Sequence, residues 1–300
     1  MRSVVRSAIV VVAVGTATCS RSPTEPSRPV TRPDGQPSAF QQSAVFVGAG
    51  DIGWCGSDGT RATAALLDGI SGVVFTTGDN AYLSGTAAQF IDCYHPTWGR
   101  HRLRTRPAPG NHDYETPGAR PYFAYFGANA GPSGAGYYSY DLGAWHIVSL
   151  NSVTGTSGRS RQAAWLRHDL AENSGRCTLA YWHNPLFSSG PNGSQSHMRE
   201  IWRILYAFGT EIVVNGDNHL YERFAPQDPD GRRDAAGIRQ FIAGTGGAPL
   251  YEVRAVQPNS EVRSSTFGVL KFTLHADSYE WEFVPIPGAA FRDFGLGQCH

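Results

Sequence analysis

The sequence carries no surplus of charge of either sign: 25 Lys and Arg face 25 Asp and Glu. Without a net field there is no global pull toward nucleic acid or an anionic membrane, so any affinity for phosphate must be built locally. No basic stripe with interleaved aromatics is present. Arg100, His101, Arg102, Arg104 and Arg106 form one short cluster that reads as a solvated loop, and Tyr122, Phe123, Tyr125 and Phe126 read as core packing. Nucleic acid is therefore not an expected partner. No apolar run is long enough to cross a bilayer, and no internal repeat appears, which excludes solenoid and propeller architectures. With 41% apolar residues over 300 positions, the chain can bury one full core but not two sizeable ones.

Residues 1–19 read as an export signal: two arginines in the first six residues precede a short apolar run over 7–18. Cys19 follows that run directly, which leaves a lipid anchor at Cys19 and soluble secretion both open. Either outcome is extracytoplasmic, and a lipid at Cys19 would be the only membrane attachment. Residues 20–43 mix Pro, Ser and Arg with almost no apolar side chains and read as a disordered tether, leaving 44–300 as the catalytic domain. Cys55, Cys93, Cys177 and Cys299 are then an even set in an oxidising compartment, so two disulfides are expected.

Apolar runs at 45–48 and 73–77 both stop at Gly-Asp and flank a helical segment at 60–67, a strand–helix–strand crossover typical of an α/β fold. Further strands are expected within 137–150, across a turn at 141–143, and at 178–182, 211–214 and 241–243. Residues 267–274 and 279–284 read as a hairpin. Helices are expected at 161–172, with Trp165, Leu166 and Leu170 inward, and at 198–208. Several of these strands end on Asp, Asn or His, where open α/β sheets place their sites.

Five clusters fall at such ends: Gly50-Asp51-Ile52-Gly53, Gly78-Asp79-Asn80-Ala81-Tyr82, Gly110-Asn111-His112-Asp113, Trp182-His183 and Gly216-Asp217-Asn218-His219. Each joins glycine to an oxygen or imidazole donor. Glycine lets the chain turn sharply and lets a cation approach the backbone. Donors without thiolates suit iron, manganese or zinc. Cys55 and Cys93 lie just after two of these loops, which favours pairing them and leaves Cys177 for Cys299, although three pairings are open.

In their joint order these motifs resemble the calcineurin-like metallophosphoesterases, and within them the purple acid phosphatases, whose series GDxG, GDxxY, GNHD or GNHE, xxxH and GHxH runs here from Asp51 to His219. The resemblance covers about residues 44–285 and extends through Leu220-Tyr221-Glu222-Arg223. It implies a four-layer sandwich of two mixed β-sheets flanked by helices, in a compact form without the additional N-terminal β domain of plant members. It also implies two metal ions. Asp51, Asp79, Tyr82 and His219 would surround the first, Fe(III) held by the Tyr82 phenolate. Asp79 would bridge to a second, divalent Fe, Mn or Zn, that also takes Asn111 and His183. Asn111 and His112 would face a small phosphate-ester substrate, with His112 stabilising phosphoryl oxygens or protonating the departing alkoxide. The implied reaction is hydrolysis of phosphomonoesters, with phosphodiesters also open, by direct attack of a metal-bound hydroxide.

Two positions depart from the family pattern. Asp217 stands where GHxH has its first histidine. As a second-site ligand it would add negative charge, raise the pKa of bound water and shift preference toward Mn, Mg or Ca. Asn184 follows His183 where relatives often have another histidine. The competing reading is a secreted protein that keeps the fold and holds metal or ligand at an impaired second site without turnover. Arg223 reads as a salt-bridged structural residue.

Overall fold

A computed structural model of the protein describes residues 43–300, so the expected export signal at 1–19 and the tether, apart from residue 43, lie outside the described residues. The strands are β1 (Ala44–Ala49), β2 (Val73–Thr77), β3 (Thr105–Ala108), β4 (Tyr138–Leu142), β5 (Trp145–Ser149), β6 (Thr178–Tyr181), β7 (Ile212–Asn215), β8 (Tyr221–Phe224), β9 (Arg239–Ala243), β10 (Ser260–Ser264), β11 (Gly268–Leu274), β12 (Ser278–Pro285) and β13 (Asp293–Gln298). They form a six-stranded sheet, β13-β12-β11-β1-β2-β3, and a seven-stranded sheet, β10-β8-β9-β7-β6-β5-β4. Both are mixed: β1, β2 and β3 run parallel, as do β5, β6, β7 and β9, with antiparallel neighbours at the flanks.

Side-chain alternation divides the apolar residues into three layers of contact. Phe46, Phe75, Tyr181, Val214, Phe241 and Phe272 pack between the sheets. Val47, Val74 and Val269 point the other way, against Ala64 and Leu67 of the helix Asp58–Asp68 and against Phe90, Tyr94, Trp98, Tyr122 and Phe126. Val148, Ala180, Trp182 and Val213 face the helices Arg161–Glu172 and Arg199–Ala207 through Leu166, Leu170, Ile201, Trp202 and Leu205. Helix, sheet, sheet, helix is the four-layer sandwich expected above. Ser57 and Ser160 start two of these helices by accepting the backbone N–H of Thr60 and Ala163.

Some local expectations change. Trp165 is only half-buried, packed at the margin of the core beside Tyr137 with the two rings tilted 41° to each other. The arginine cluster is not a solvated loop. It forms a 3-10 helix, Trp98–Arg104, in which Arg100 binds Asp68 and Arg104 donates to the carbonyls of Leu67, Ile70 and Gly72. Those carbonyls close the C-terminus of the helix Asp58–Asp68, where a cation is favoured. Arg223 is structural as expected: its Nε donates to Asp293 at 2.8 Å and its guanidinium lies over Trp281. Cys55 is bonded to Cys93, and Cys177 to Cys299.

Candidate metal centre

The parallel strands deliver their C-terminal ends to one place. Asp51 follows β1, Asp79 follows β2, Asn111 follows β3, His183 follows β6, and Asp217 and His219 follow β7. Asp51, Asp79 and Asp217 all adopt left-handed backbone, with φ of 59°, 51° and 68°. Such residues cost energy that surrounding structure must offset, and they concentrate at functional sites.

The glycines preceding the ligands do something other than admit a cation to the backbone. A Cβ on Gly110 would lie 2.1 Å from Asp79 Oδ1, and one on Gly78 would lie 2.7 Å from His183 Nδ1. Gly110 makes room for a side chain from the adjacent strand of its own sheet and Gly78 for one from the facing sheet, which lets loops from two sheets close on one point.

Two imidazoles are locked by their outer nitrogens. His183 Nδ1 lies 2.8 Å from the Thr77 carbonyl and His219 Nδ1 lies 2.8 Å from the Pro249 carbonyl. A carbonyl only accepts, so each Nδ1 carries a proton and each Nε2 is the nitrogen turned inward, free to offer a lone pair once a cation replaces its proton. Around His219, Tyr82 OH sits 2.9 Å from Asp51 Oδ1, 2.9 Å from Asp79 Oδ2 and 3.0 Å from His219 Nε2. On the other side, His183 Nε2 lies 3.2 Å from Asp79 Oδ2 and 3.8 Å from Asp217 Oδ1. Asp79 stands between the two groups.

Two buried polar atoms here have no hydrogen-bond partner, His183 Nε2 and Asn111 Oδ1. A buried polar atom that makes no hydrogen bond is costly unless it binds something. Ligand atoms of Asp51, Asp79 and His183 lie within 4.8 Å of one another, close enough to share one cation. The electrostatics agree. Burial, then the charges of Asp51 and Asp79, push the Tyr82 hydroxyl well above its usual range, so a phenolate there needs a cation beside it. Burial pushes Asp217 up to about 6, with His183 opposing and Asp51 and Asp79 adding to it. The donor set of carboxylates, phenol, imidazoles and carboxamide fits hard or borderline cations.

His112 sits at the rim, with its side chain about one-third exposed (34%). Its backbone N–H donates to Asp79 Oδ1 at 2.9 Å and its Nδ1 bonds the Leu83 carbonyl, leaving Nε2 directed away from that anchor.

The sequence reading passed over the residues that hold these loops. Asn80 donates to the Ala108 carbonyl and to Asp113 Oδ2, both at 3.0 Å, while Asp113 also accepts the Gly110 N–H at 2.9 Å. This bracket ties the Asp79 and Asn111 loops together. Burial, aided by the charge of Asp79, pushes Asp113 up to about 7. Asn184 Nδ2 donates to Asp217 Oδ1 at 2.9 Å, so the two departures from the family pattern touch. The signal for the Pro249 acceptor is the Gly244-Thr245-Gly246-Gly247 stretch just before it, a glycine-rich turn directly after β9.

The family model for calcineurin-like phosphoesterases matches residues 44–221, from β1 through the loop carrying Asp217 and His219. The chain belongs to this family. Within the calcineurin-like phosphoesterases it is purple-acid-phosphatase-like. Purple acid phosphatase 15 of Arabidopsis thaliana is 28% identical over 234 residues, 64% of this chain and 43% of that protein. Purple acid phosphatase 21 of the same plant is 29% identical over 251 residues, 74% of this chain and 55% of that protein. The chain thus spans about half the length of these curated relatives. Among solved structures, purple acid phosphatase PPD1 from yellow lupin (Lupinus luteus) seeds matches with a TM-score of 0.75 at 18% identity, covering 88% of this chain and 55% of that one. GAP50, the anchor in the inner membrane complex of Plasmodium, matches with a TM-score of 0.69 at 12% identity, covering 86% and 90%. At such identities both speak for the fold alone.

Proposed function

We propose that the protein is an exported, dinuclear metal-dependent hydrolase of small phosphate esters, chiefly monoesters. The observation that carries this reading is the convergence of Asp51, Asp79, Tyr82, His219 and His183 on one buried point, with His183 Nε2 and Asn111 Oδ1 left without partners. Asp51, Asp79, Tyr82 and His219 would hold Fe(III). Asp79, Asn111, His183 and Asp217 would hold a divalent ion, with Mn favoured by the oxygen-rich set. When bound, the two ions supply Lewis acidity that activates water and neutralises phosphate oxygens.

The residues of the chain do the rest. Asp79 keeps the two halves of the site in register, since its carboxylate meets the Tyr82 hydroxyl, the His112 backbone and the His183 side. His112, anchored through Nδ1–H to the Leu83 carbonyl, holds Nε2 at the rim 3.9 Å from Asp79 Oδ2, where its imidazolium form would give the Nε2 proton to a leaving-group oxygen. Export rests on the sequence of residues 1–19 and agrees with two disulfides in the fold. Cys19 as a lipid anchor is the membrane-bound form of the same proposal.

A competing reading, a metal- or ligand-binding protein with an impaired second site, draws on the crowding of Asp217 against the charges of Asp51 and Asp79. Metal analysis of the purified full-length chain, with turnover of a chromogenic phosphomonoester and a phosphodiester, separates the two. Hydrolysis by protein carrying two metal equivalents supports the enzyme; two equivalents without hydrolysis of either ester overturns it.

A further inference from the structure

His183 Nε2 is fully buried and unpartnered, and the nearest carboxylate oxygen beyond Asp79 is Asp217 Oδ1 at 3.8 Å. A carboxylate can take several staggered settings, so its neighbours must fix the one that aims Oδ1 at His183. The Asp217 N–H donates to Asp51 Oδ2 at 3.0 Å, and three side-chain amides donate to Asp217 itself. Asn184 Nδ2 donates to Oδ1 at 2.9 Å, Asn218 Nδ2 makes a long contact to Oδ2 at 3.4 Å, and Asn192 Nδ2 donates to the Asp217 carbonyl at 2.7 Å. Of these, only Asn184 binds the oxygen that faces His183.

The orientation of the Asn184 amide is itself dictated. Ser152, 2% exposed at the end of β5, donates its hydroxyl to Asn184 Oδ1 at 2.9 Å and accepts the Asn184 backbone N–H at 3.0 Å. With that N–H on the Ser152 oxygen, the hydroxyl proton is free for Oδ1. Flipping the amide would set its oxygen against the Asp217 carboxylate, two acceptors facing one another. The network thus has one self-consistent direction, Ser152 to Asn184 to Asp217. One lone pair of Oδ1 is taken by the amide, and the oxygen keeps others for the interior.

We propose that Ser152 and Asn184 are positioning residues that hold Asp217 as an oxygen ligand of the second metal, and that this relay shifts the second site's selectivity toward Mn2+ and away from Zn2+. The inference rests on the two-metal reading above. Neither Ser152 nor Asn184 needs to touch the ion. They act as outer partners of a ligand, whose loss typically weakens metal affinity about 10- to 100-fold. The preference follows from donor type: a fixed carboxylate beside a carboxamide oxygen and the Asp79 carboxylate leaves one nitrogen in an otherwise oxygen set.

The test is titration of the full-length chain with Mn2+ and with Zn2+ separately, counting ions bound and following Mn2+ by electron paramagnetic resonance, with turnover recorded apart. The expected result is that Asn184→Ala weakens second-site Mn2+ binding about 10- to 100-fold, leaves the first site unchanged, and narrows the Mn2+ over Zn2+ preference. Ser152→Ala, a milder cavity, should shift both quantities in the same direction. In an Asp217→Asn background, Asn184→Ala should add nothing further. Second-site affinity unchanged in both single variants would overturn the relay while leaving the two-metal reading intact. Equal weakening at both sites, tracking lost thermal stability, would also overturn it. Natural protein that binds only one ion would remove the two-metal reading and this inference together.

Discussion

Tyr251 lies face to face with His219, their ring centroids 4.0 Å apart and their planes 11° from parallel. The His219 imidazole is thereby held from three sides: by this ring, by the Pro249 carbonyl on Nδ1, and by Tyr82 at Nε2. Tyr251→Ala removes the stacking wall and should weaken metal binding at the first site about tenfold, with Tyr251→Phe close to the natural chain, because the ring rather than the hydroxyl does the packing. Metal titration of the two variants checks this; equal affinity in both would contradict it.

Tyr82 offers an optical readout. With ferric iron at the first site, a coordinated phenolate absorbs visible light, and Tyr82→Phe should abolish that band while the fold survives. The phenylalanine ring fills the same 4% exposed pocket. An absorption spectrum of the iron-loaded variant that keeps the band would assign the colour elsewhere.

Gly110→Ala tests how closely the loops are interleaved. The added methyl would meet Asp79 Oδ1 at 2.1 Å and its backbone nitrogen at 2.4 Å, and the second of these cannot swing aside. Overpacking of this kind costs about 1–3 kcal/mol. Urea denaturation should show a loss in that range, and metal analysis should show both sites depleted, since Asp79 belongs to both.

Far from the metal centre, Glu211 is 3% exposed, and burial pushes its carboxyl from 4.5 up to about 7 against the Thr178 N–H that it accepts. The folded chain therefore keeps a proton that the unfolded chain releases between those values. Its contribution to stability is full below about pH 4.5 and is lost as the pH rises through 7. Glu211→Gln keeps an oxygen for Thr178 and carries no charge. It should be more stable than the natural chain well above pH 7 by roughly 3 kcal/mol, with the advantage vanishing near pH 4. Melting curves across that range supply the comparison.

What the sequence made legible was the set of parts that are local and contiguous. An apolar run ending at Gly-Asp marks both a buried strand and the ligand at its tip, so Asp51 and Asp79 are visible without coordinates. Three of the four edge strands were not visible, the exception being β4, read together with β5 across the turn at 141–143. β3 is Thr105-Arg106-Pro107-Ala108, and a proline and an arginine disguise it; at the rim of its sheet, Pro107 has fewer ladder bonds to lose. β10 and β13 lie at other edges and are likewise rich in polar residues or glycine. Partnerships across the chain were hidden for another reason. Ser152 and Asn184 stand 32 positions apart, Asn184 and Asp217 another 33, and no local pattern announces that three small polar side chains will meet. Their meeting depends on β5, β6 and β7 lying side by side in parallel.

The left-handed backbone at position 217 also bears on how such a site changes over time. Among residues with a Cβ, that conformation is adopted most readily by asparagine, aspartate and histidine. The same peptide geometry therefore accepts a carboxylate or an imidazole with little rebuilding of the loop. A lineage can exchange one for the other in a single substitution, and with Asp217 as the proposed second-site ligand that exchange would alter which ion is recruited while the scaffold that presents it stays as it was.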